Sequence, residues 1–544
     1  MNGGEVVVKT MISRGIDTVF FVPGETNTTI FEALSRHQKE IRSVPTRLES
    51  AAVFAADAYA AIRKRPACVL CSRAPGATNS SIGIHNAKQA SRPVVLIIAS
   101  IPRQFMGREA FQEINFLQMY APIAKAVFDV SSFNEVGPVL ARALDLSVSG
   151  RPGPVVVAIS KSILDGETGD PAIPKASAPV RLGADPEAAR EAARMIAASQ
   201  RPIIVAGEIV NFEDASKELE RFADVTGAGV MTAFRQQDLF RADHPANFGQ
   251  LTFKRPPYQH EALKQADLFI AVGTRLDSTT TANYAMFRND QKLIMIYPEP
   301  AEFSQWQPDV ALCSHTAPAM QAIAAALSTK PSAERLAWRD NLHRQEVEYG
   351  TPGDIESRGE LNLIKVIKHF NSVVPNDAIM VSDVGISVRM VAQYYRYNRP
   401  NTQLGGISGS MGYGVPGGFG AQLANPKALV FVWVGDGSFL MTGNECAAIV
   451  QEKLPVKLMV LDNNYWGSIF TNQRKRFPGW DFGARLQSPD FAALGRGYGM
   501  PAWTVRKTDE FPAALAGMMN TAGPAMIHML LDPLDALAFF NSPR

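Results

Sequence analysis

The sequence predicts an α/β protein made of three doubly wound parallel-sheet domains. The chain has 544 residues, which is more than one hydrophobic core normally organises, so about three domains are expected. Short apolar runs of strand type alternate with helical periodicities along most of its length, and strands separated by helices form mainly parallel sheets. The order strand, glycine-containing turn, helix recurs near both ends of the chain, which is consistent with a duplicated domain.

The composition excludes several classes of protein. Hydrophobic residues make up 46% and charged residues 19%, and the formal net charge of +2 gives no electrostatic reason to expect a nucleic-acid or membrane partner. Residues 1–15 resemble an amphipathic helix rather than an apolar signal sequence, so we expect a cytoplasmic protein. Cys68 and Cys71 are spaced C-x-x-C within a strand, where they face opposite sides, and we interpret them as buried packing residues.

The first predicted domain covers residues 1–165. A helix is predicted over 51–63, and a Pro-, Gly- and Ala-rich connector follows the domain over 166–186. The strand candidates of this domain are 18–22, 41–46, 67–72, 93–100 and 154–159.

The second and third predicted domains cover residues 187–330 and 359–544. A charged helix over 333–349 is predicted in the connector between them. The strand candidates of these two domains are 202–206, 229–232, 268–272, 293–296, 378–381, 429–434, 456–461 and 525–530.

The most informative stretch of the chain is one β-α-β unit in the third domain. The apolar run 429–434 ends at Gly-Asp-Gly-Ser (435–438), and the apolar run 456–461 ends at Asp-Asn-Asn (462–464). Neighbouring parallel strands bring their carboxyl ends to the same edge of the sheet, which is where such sheets bind ligands. We therefore expect these two turns to form one site.

The oxygen ligands in these turns suit a magnesium ion that is also held by a diphosphate. Asp436 offers a carboxylate and Asn463 a side-chain carbonyl, both hard ligands. Gly435 and Gly437 allow backbone N–H groups to approach phosphate oxygens at the start of a helix. Taken separately, each of these two sequences is more often an ordinary turn. Together, at this spacing, they indicate a cofactor site.

The two turns resemble the signature of thiamine-diphosphate enzymes. The resemblance implies that thiamine diphosphate and Mg²⁺ bind here. It implies metal ligation by Asp436, Asn463 and the backbone carbonyl of Tyr465. It also implies that the coenzyme is contacted by the rest of the first turn, namely Gly435, Gly437 and Ser438.

In this family a glutamate hydrogen-bonds the coenzyme's pyrimidine ring, and Glu49 matches it. Glu49 follows a strand exit and opens a helix; without the resemblance, it reads as a first-turn acid that complements the helix dipole. With the resemblance, Glu49 is the catalytic carboxyl group that allows the coenzyme's own imino group to act as the base. Leu48 replaces the histidine that commonly precedes it.

Two C-terminal loops complete the implied coenzyme contacts. In the loop 404–414, the carbonyl of Gly409 would accept from the coenzyme's amino group, and Met411 would support the bent coenzyme. In the turn 382–387, Ile386 and Ser387 stand where a related branch has Gln-His, so a contact through the backbone and Ser387 is expected.

Three turns of the first domain are expected to face the reacting carbon. The backbone of Gly24 would lie near the substrate-derived oxygen, and Gly76 belongs to a second such turn. Arg73 in that turn either meets a substrate carboxylate or is a salt-bridged loop arginine. Gln112, in Phe-Gln-Glu, either hydrogen-bonds the reacting carbonyl or is a solvated loop amide.

The resemblance covers the whole chain, in the order pyrimidine-binding domain, middle Rossmann-like domain, diphosphate-binding domain. This is the order of acetolactate synthase, pyruvate oxidase, benzaldehyde lyase and benzoylformate decarboxylase. The acetolactate synthase group matches best, through VPGE, PGATN, FQE, GSMGYG and GDGSF. It implies a homodimer or homotetramer with the site between subunits, Glu49 from one and Asp436 from the other.

Two positions differ from biosynthetic acetolactate synthases. Asn472 stands where they have tryptophan, and Pro298 interrupts the end of the middle-domain strand that adjoins their FAD. The second difference argues against bound FAD and against an oxidase.

Three functions remain open. The first is a decarboxylating carboligase on a 2-oxo acid, with pyruvate as the default donor. The second is a lyase acting on a 2-hydroxy ketone, or a simple decarboxylase that releases an aldehyde. The third is a catalytically silent assembly subunit, which the intact Glu49, Asp436 and Asn463 argue against.

Overall fold

Three parallel sheets organise the chain. A computed structural model describes residues 1–166, 173–176, 180–353, 355–535 and 539. Within these residues it contains three six-stranded sheets in which every strand pairing is parallel, with helices on both faces. The predicted fold class, three doubly wound α/β domains, is confirmed.

The first sheet has the strand order β2-β1-β3-β4-β6-β5. Its strands are β1 (Thr18–Phe21), β2 (Arg42–Pro45), β3 (Ala67–Ser72), β4 (Val94–Ser100), β5 (Ala126–Val130) and β6 (Val155–Ser160). The helices around it are α1 (Gly3–Ser13), α2 (Thr28–Arg36), α3 (Glu49–Arg63), α4 (Arg73–Gln89), α5 (Phe116–Tyr120), α6 (Val136–Val148) and α7 (Lys161–Leu164).

The second sheet has the order β12-β11-β10-β7-β8-β9. Its strands are β7 (Pro202–Ala206), β8 (Gly229–Thr232), β9 (Asn247–Gln250), β10 (Leu268–Val272), β11 (Lys292–Tyr297) and β12 (Val310–Cys313). Its helices, together with the connector helix α14, are α8 (Pro186–Ala198), α9 (Glu208–Phe212), α10 (Ser216–Thr226), α11 (Pro257–Gln265), α12 (Phe303–Trp306), α13 (Thr316–Ala326) and α14 (Ala333–Gly350).

The third sheet has the order β14-β13-β15-β16-β18-β17. Its strands are β13 (Ile379–Ser382), β14 (Gln403–Gly405), β15 (Val430–Gly435), β16 (Lys457–Asp462), β17 (Ala502–Val505) and β18 (Ala525–Leu530). Its helices are α15 (Leu363–Val373), α16 (Ile386–Tyr394), α17 (Gly414–Ala424), α18 (Asp436–Thr442), α19 (Cys446–Gln451), α20 (Gly467–Arg476), α21 (Phe491–Gly497) and α22 (Phe511–Met519).

Every predicted strand is present and ends within one residue of its expected limits. The strands that the sequence did not predict are β5, β9, β12, β14 and β17, and each lies at an edge of its sheet. Edge strands are covered on fewer sides, so most of them lack the continuous apolar run that marks a central parallel strand. β9, for example, has the sequence Asn-Phe-Gly-Gln.

The predicted connectors have different outcomes. Residues 167–172 and 177–179 of the connector 166–186 lie outside the described residues. Asp185 ends this connector by capping α8, because its side chain accepts from the N–H groups of Glu187 and Ala188 at 3.0 and 2.8 Å. The charged connector helix α14 packs on the middle domain, where Trp338 meets Phe248 edge to face.

The first and third domains share one apolar core through helices α3 and α17. Both helices are rich in alanine or glycine, and residues from both belong to a single buried cluster. The backbones come so close at Gly420 that a Cβ atom there would lie 2.0 Å from the carbonyl oxygen of Ala55. This contact sets the position of the first domain on the third.

Within the residues that the structure describes, none of the helices combines the length and apolar character needed to cross a bilayer.

Candidate active site

A pocket of about 160 Å³ opens at the carboxyl ends of β13, β15 and β16. All of the residues that line it lie between 384 and 469, in the third domain. It brings together all the C-terminal positions that the sequence predicted as coenzyme or metal contacts: Ile386, Ser387, Gly409, Met411, Gly435, Asp436, Gly437, Ser438, Asn463 and Tyr465.

Asp436 is the charged centre of this pocket. β15 ends at Gly435 and α18 begins at Asp436, which is buried; its Oδ1 accepts from the Gly437 N–H at 2.8 Å and its Oδ2 from the Ser488 hydroxyl at 3.2 Å. Burial, together with the negative charge of nearby Asp462, raises the pKa of Asp436 to about 7. A cation at this position would relieve both effects and favour the carboxylate.

Asn463 lies beside Asp436, at the end of the neighbouring strand. β16 ends at Asp462, and the buried side chain of Asn463 accepts from the N–H of Tyr465 at 3.0 Å, which fixes the turn. Among the described residues, no cluster of three His, Cys, Asp or Glu side chains could hold a metal. The donors available are one carboxylate, one amide oxygen and a backbone carbonyl, which fit Mg²⁺ only if a ligand such as a diphosphate completes its shell.

One glycine leaves open space in this pocket, and a second makes room for a neighbouring aromatic ring. Gly409 has φ +75°, a conformation that other residues rarely adopt, and no atom lies within 4 Å of where its Cβ would be. A Cβ at Gly437 would lie 2.3 Å from the ring of Trp466. The open backbone at Gly409 and Gly435 fits a diphosphate at the N-terminus of helix α18.

Asp383 positions the glycine loop, and the sequence analysis did not single it out. Its fully buried carboxylate accepts from the N–H groups of Val384, Gly412 and Gly414 at 2.6, 3.2 and 2.6 Å. It therefore joins the turn after β13 to the loop that carries Gly409 and Met411. The sequence signal that could have identified Asp383 is an acidic residue directly after the apolar strand β13.

A second unpredicted group lies next to the predicted metal ligands. His528, on β18, lies with its Nε2 2.9 Å from Oδ2 of Asp462, and both side chains are buried. Hydrogen bonding to His528 counteracts burial and lowers the pKa of Asp462. No local pattern in the sequence marks His528, because only sheet pairing brings it to Asp462.

The first domain carries a separate group of predicted residues around the start of α4. Glu49 opens α3 and is half-buried; its Oε2 accepts from the Asn79 amide at 3.0 Å. A Cβ at Gly76 would lie 3.1 Å from Oε1 of Glu49. The carboxylate therefore lies against an open stretch of backbone that could admit a ring edge.

The other predicted residues of the first domain adjoin this group. A Cβ at Gly24 would lie 2.2 Å from that of Ser72, so only glycine fits there. Arg73 donates to Oε1 of Gln112 at 3.4 Å, and these residues have φ values of +43° and +66°. Strained backbone of this kind at two touching non-glycine residues is typical of functional sites. Among the described residues, no carboxylate forms an ion pair with Arg73, which leaves the salt-bridged interpretation without support.

Apolar side chains are exposed beside both groups. In the first domain, 78% of Phe111 and 43% of Ile82 are exposed; in the third, 50% of Leu440 and 47% of Met441. Large apolar surfaces next to a site are typical of surfaces that a partner covers.

The middle domain has a crevice where its strand order reverses, between β7 and β10. Glu208 fills it: the Tyr297 hydroxyl donates to its carboxylate at 3.1 Å, and Arg275 lies 3.5 Å away. Ser91 of the first domain donates to the same oxygen at 3.3 Å. β11 ends at Tyr297, directly before Pro298. An anionic diphosphate at this switch point would meet a buried carboxylate.

Comparison with known proteins assigns the class. Three domain models of thiamine pyrophosphate enzymes match the chain: the N-terminal TPP binding domain over residues 1–119, the central domain over 189–323 and the C-terminal TPP binding domain over 383–529. The chain is an enzyme, and thiamine pyrophosphate, which is the same compound as thiamine diphosphate, is its coenzyme.

Relatives of known name align over almost the whole chain. A probable acetolactate synthase large subunit of Methanocaldococcus jannaschii is 29% identical over 99% of this chain and 93% of its own length. Acetolactate synthase 1, chloroplastic, of Zea mays is 31% identical over 97% of this chain and 85% of its own length. Acetolactate synthase, chloroplastic, of Arabidopsis thaliana is 30% identical over 97% of this chain and 81% of its own length. The chain belongs to the thiamine pyrophosphate enzyme family, and these three relatives are named as acetolactate synthases.

Proposed function

We propose that the protein is a thiamine-diphosphate- and Mg²⁺-dependent decarboxylating carboligase that acts on a 2-oxo acid, with pyruvate as the default donor. The observation that carries the proposal is the pocket at Asp436, in a chain whose relatives are acetolactate synthases. When bound, the coenzyme supplies a carbanion that adds to carbonyl groups and takes up the electrons released by decarboxylation.

The third domain holds the coenzyme's charged end. Asp436, Asn463 and the carbonyl of Tyr465 would hold Mg²⁺, and the backbone of Gly435, Gly437 and Ser438 at the start of α18 would face the diphosphate. Contacts to the diphosphate and the ring system come from the remaining lining residues: Ile386, Ser387, Gly409 and Met411.

The first domain supplies the groups at the reacting end. Glu49 would hold a proton at its Oε1 and would hydrogen-bond the pyrimidine ring nitrogen, in the space left open by Gly76. The Gly24 backbone and the Gln112 amide lie at the substrate oxygen. Arg73 binds the carboxylate of the 2-oxo acid, which explains an arginine without a protein carboxylate beside strained backbone.

The two groups of residues meet between subunits of a homodimer or homotetramer. Support comes from the pocket, whose lining belongs to the third domain alone, and from exposed apolar side chains such as Phe111 and Leu440 beside both groups.

Mixing two inactive variants tests this assembly. Glu49→Gln and Asp436→Asn each disable one half of the site, so hybrid dimers carry one intact site and exchange restores about a quarter of wild-type activity. If mixing restores no activity after subunit exchange has been verified by mass spectrometry, each site belongs to a single chain.

We also propose that the enzyme works without FAD. The buried Glu208 in the middle-domain crevice and the end of β11 before Pro298 support this. The purified protein should be colourless. A stoichiometric absorbance band near 450 nm that is released on denaturation would contradict the proposal.

A second candidate function is a C–C lyase or a non-oxidative decarboxylase. Asn472, in place of the tryptophan of biosynthetic acetolactate synthases, favours it, because this side chain lines the cavity next to the coenzyme pocket.

Separate incubations with three substrates distinguish the two functions. The protein, thiamine diphosphate and Mg²⁺ are mixed with pyruvate, benzoylformate or benzoin, and the products are identified by chromatography and mass spectrometry. Acetolactate from pyruvate supports the carboligase. Benzaldehyde from benzoin or benzoylformate, with no acetolactate, supports the second function.

A further inference from the structure

A cavity of about 360 Å³ lies between the middle and third domains. Its third-domain wall is formed by one face of α16, including Arg389, and one face of α20, including Asn472 and Lys475. Its middle-domain wall is formed by the loops after β8 and β9, which contribute Phe234 and Arg235 to the lining. The volume lies within the range of roughly 300–1,000 Å³ that is typical of small-molecule sites.

This cavity adjoins the coenzyme pocket. Five residues line both: Val384, Gly385, Ile386, Val388 and Ser468. A molecule in the cavity therefore reaches the coenzyme pocket directly. Most of the cavity, however, extends beyond the coenzyme, towards the middle domain.

The charges that line the cavity are all positive. Arg235, Arg389 and Lys475 line it, and no Asp or Glu is found among its described lining residues. Arg235 is held in place because its guanidinium donates to the carbonyls of Ser382 and Asp383 at 3.1 and 2.8 Å. A cleft with walls of one charge sign and low dielectric concentrates ions of the opposite sign.

The positive charge continues beyond the cavity. Lys254 lines a smaller polar cavity that shares Arg389 with the large one. Burial, followed by repulsion from Lys475 and Arg389, lowers the pKa of Lys254. These three cations are therefore near neighbours. None of them lines the coenzyme pocket, whereas apolar side chains such as Phe234, Phe253 and Leu404 also line the cavity.

We propose that this cavity binds the acceptor substrate and that the acceptor carries an anionic group, a carboxylate or a phosphate, remote from its reacting carbonyl. The inference rests on the proposed carboligase function. Arg389 and Lys475 contact the anion, and Arg235 contributes its charge from a fixed position. The apolar lining of the cavity holds the carbon chain between the anion and the carbonyl.

Paired acceptors test the proposal with the holoenzyme and pyruvate as donor. Succinic semialdehyde is compared with butanal, and glyceraldehyde 3-phosphate with glyceraldehyde, so each pair differs only in the remote anion. The anionic member should have a kcat/KM at least about tenfold higher, because it alone can form charge-assisted hydrogen bonds with Arg389 and Lys475. The pair with the larger ratio identifies the anion as carboxylate or phosphate.

Variants connect this preference to the cavity. Arg389→Gln and Lys475→Gln should each reduce the preference mainly through KM for the anionic acceptor, with the neutral acceptor unaffected. Lys427→Gln is the matched control, since Lys427 is exposed before β15, at the opposite end of the sheet. Equal kcat/KM values within both pairs, or equal losses for anionic and neutral acceptors, would overturn the proposal.

A binding measurement separates this inference from the proposed function. Titration calorimetry of the holoenzyme should show glutarate binding at least about tenfold more tightly than pentanoate, and Arg389→Gln should abolish the difference. If pyruvate is not turned over but this difference is found, the carboligase assignment fails and the anion site stands. Equal binding of the two probes, or stoichiometric flavin in the cavity, overturns the anion site.

Discussion

Replacing Gly420 by alanine tests how the first and third domains are joined. The new Cβ atom would lie 2.0 Å from the carbonyl oxygen of Ala55, and contacts under 3.0 Å are essentially never seen. The helices α3 and α17 must therefore separate by about 1 Å. Because both contacting atoms belong to the helix framework, no side-chain rotation relieves the clash. Overpacking of this kind costs about 1–3 kcal/mol.

The intrinsic helix preference acts in the opposite direction. Alanine is favoured over glycine in a helix interior by up to about 1 kcal/mol, so we expect a net loss near 2 kcal/mol. For a unit of 150–250 residues this lowers the melting temperature by roughly 4–8 °C.

Gly497→Ala is the control for this substitution. Gly497 ends helix α21, and no atom lies within 4 Å of its Cβ position. Differential scanning calorimetry of the wild type and the two variants supplies the comparison. If Gly420→Ala melts within about 1 °C of Gly497→Ala, the close contact of α3 and α17 does not hold these domains together, and the reasoning is wrong.

Three further predictions concern titratable groups. Glu49→Gln should retain coenzyme binding by calorimetry and the hydrogen bond from Asn79, yet lower kcat by about 10²–10⁴-fold; full activity would exclude Glu49 as the proton-holding group. Asp436→Asn should weaken binding of Mg²⁺ and thiamine diphosphate by more than roughly 100-fold. In the wild type, the affinity for Mg²⁺ should fall as the pH drops below about 7, because a proton competes with the metal for Asp436. An affinity that does not change with pH would contradict this. Burial raises the pKa of Asp57 from 3.8 to about 6 in the folded protein. The unfolded chain therefore ionises first, so stability declines by about 3 kcal/mol as the pH rises from 4 to 6 and is constant above that. Asp57→Asn should remove this decline. The reasoning is wrong if the difference in melting temperature between variant and wild type does not grow from pH 4 to 6.5.

The sequence alone was sufficient for the central strands and for the chemistry of the third domain. Buried parallel strands need continuous apolar runs, so β15 and β16 are visible without any tertiary information. The turns after them carry Asp436 and Asn463, and the doubly wound fold requires that these two turns be adjacent. Most of the residues that line the coenzyme pocket follow strands that the sequence already identifies, whereas Gly409 and Met411 follow β14, which it does not.

Only the tertiary structure decided the edges of the sheets and the second layer of the site. The edge strands β5, β9 and β17 are partly exposed and contain polar residues, so no continuous apolar run marks them, and the apolar β12 is only four residues long. His528 reaches Asp462 through strand pairing between residues 66 positions apart, which no local pattern encodes. The cationic cavity likewise depends on how the middle domain docks on α16 and α20. Contacts between distant segments are set by packing, and packing depends on the whole chain.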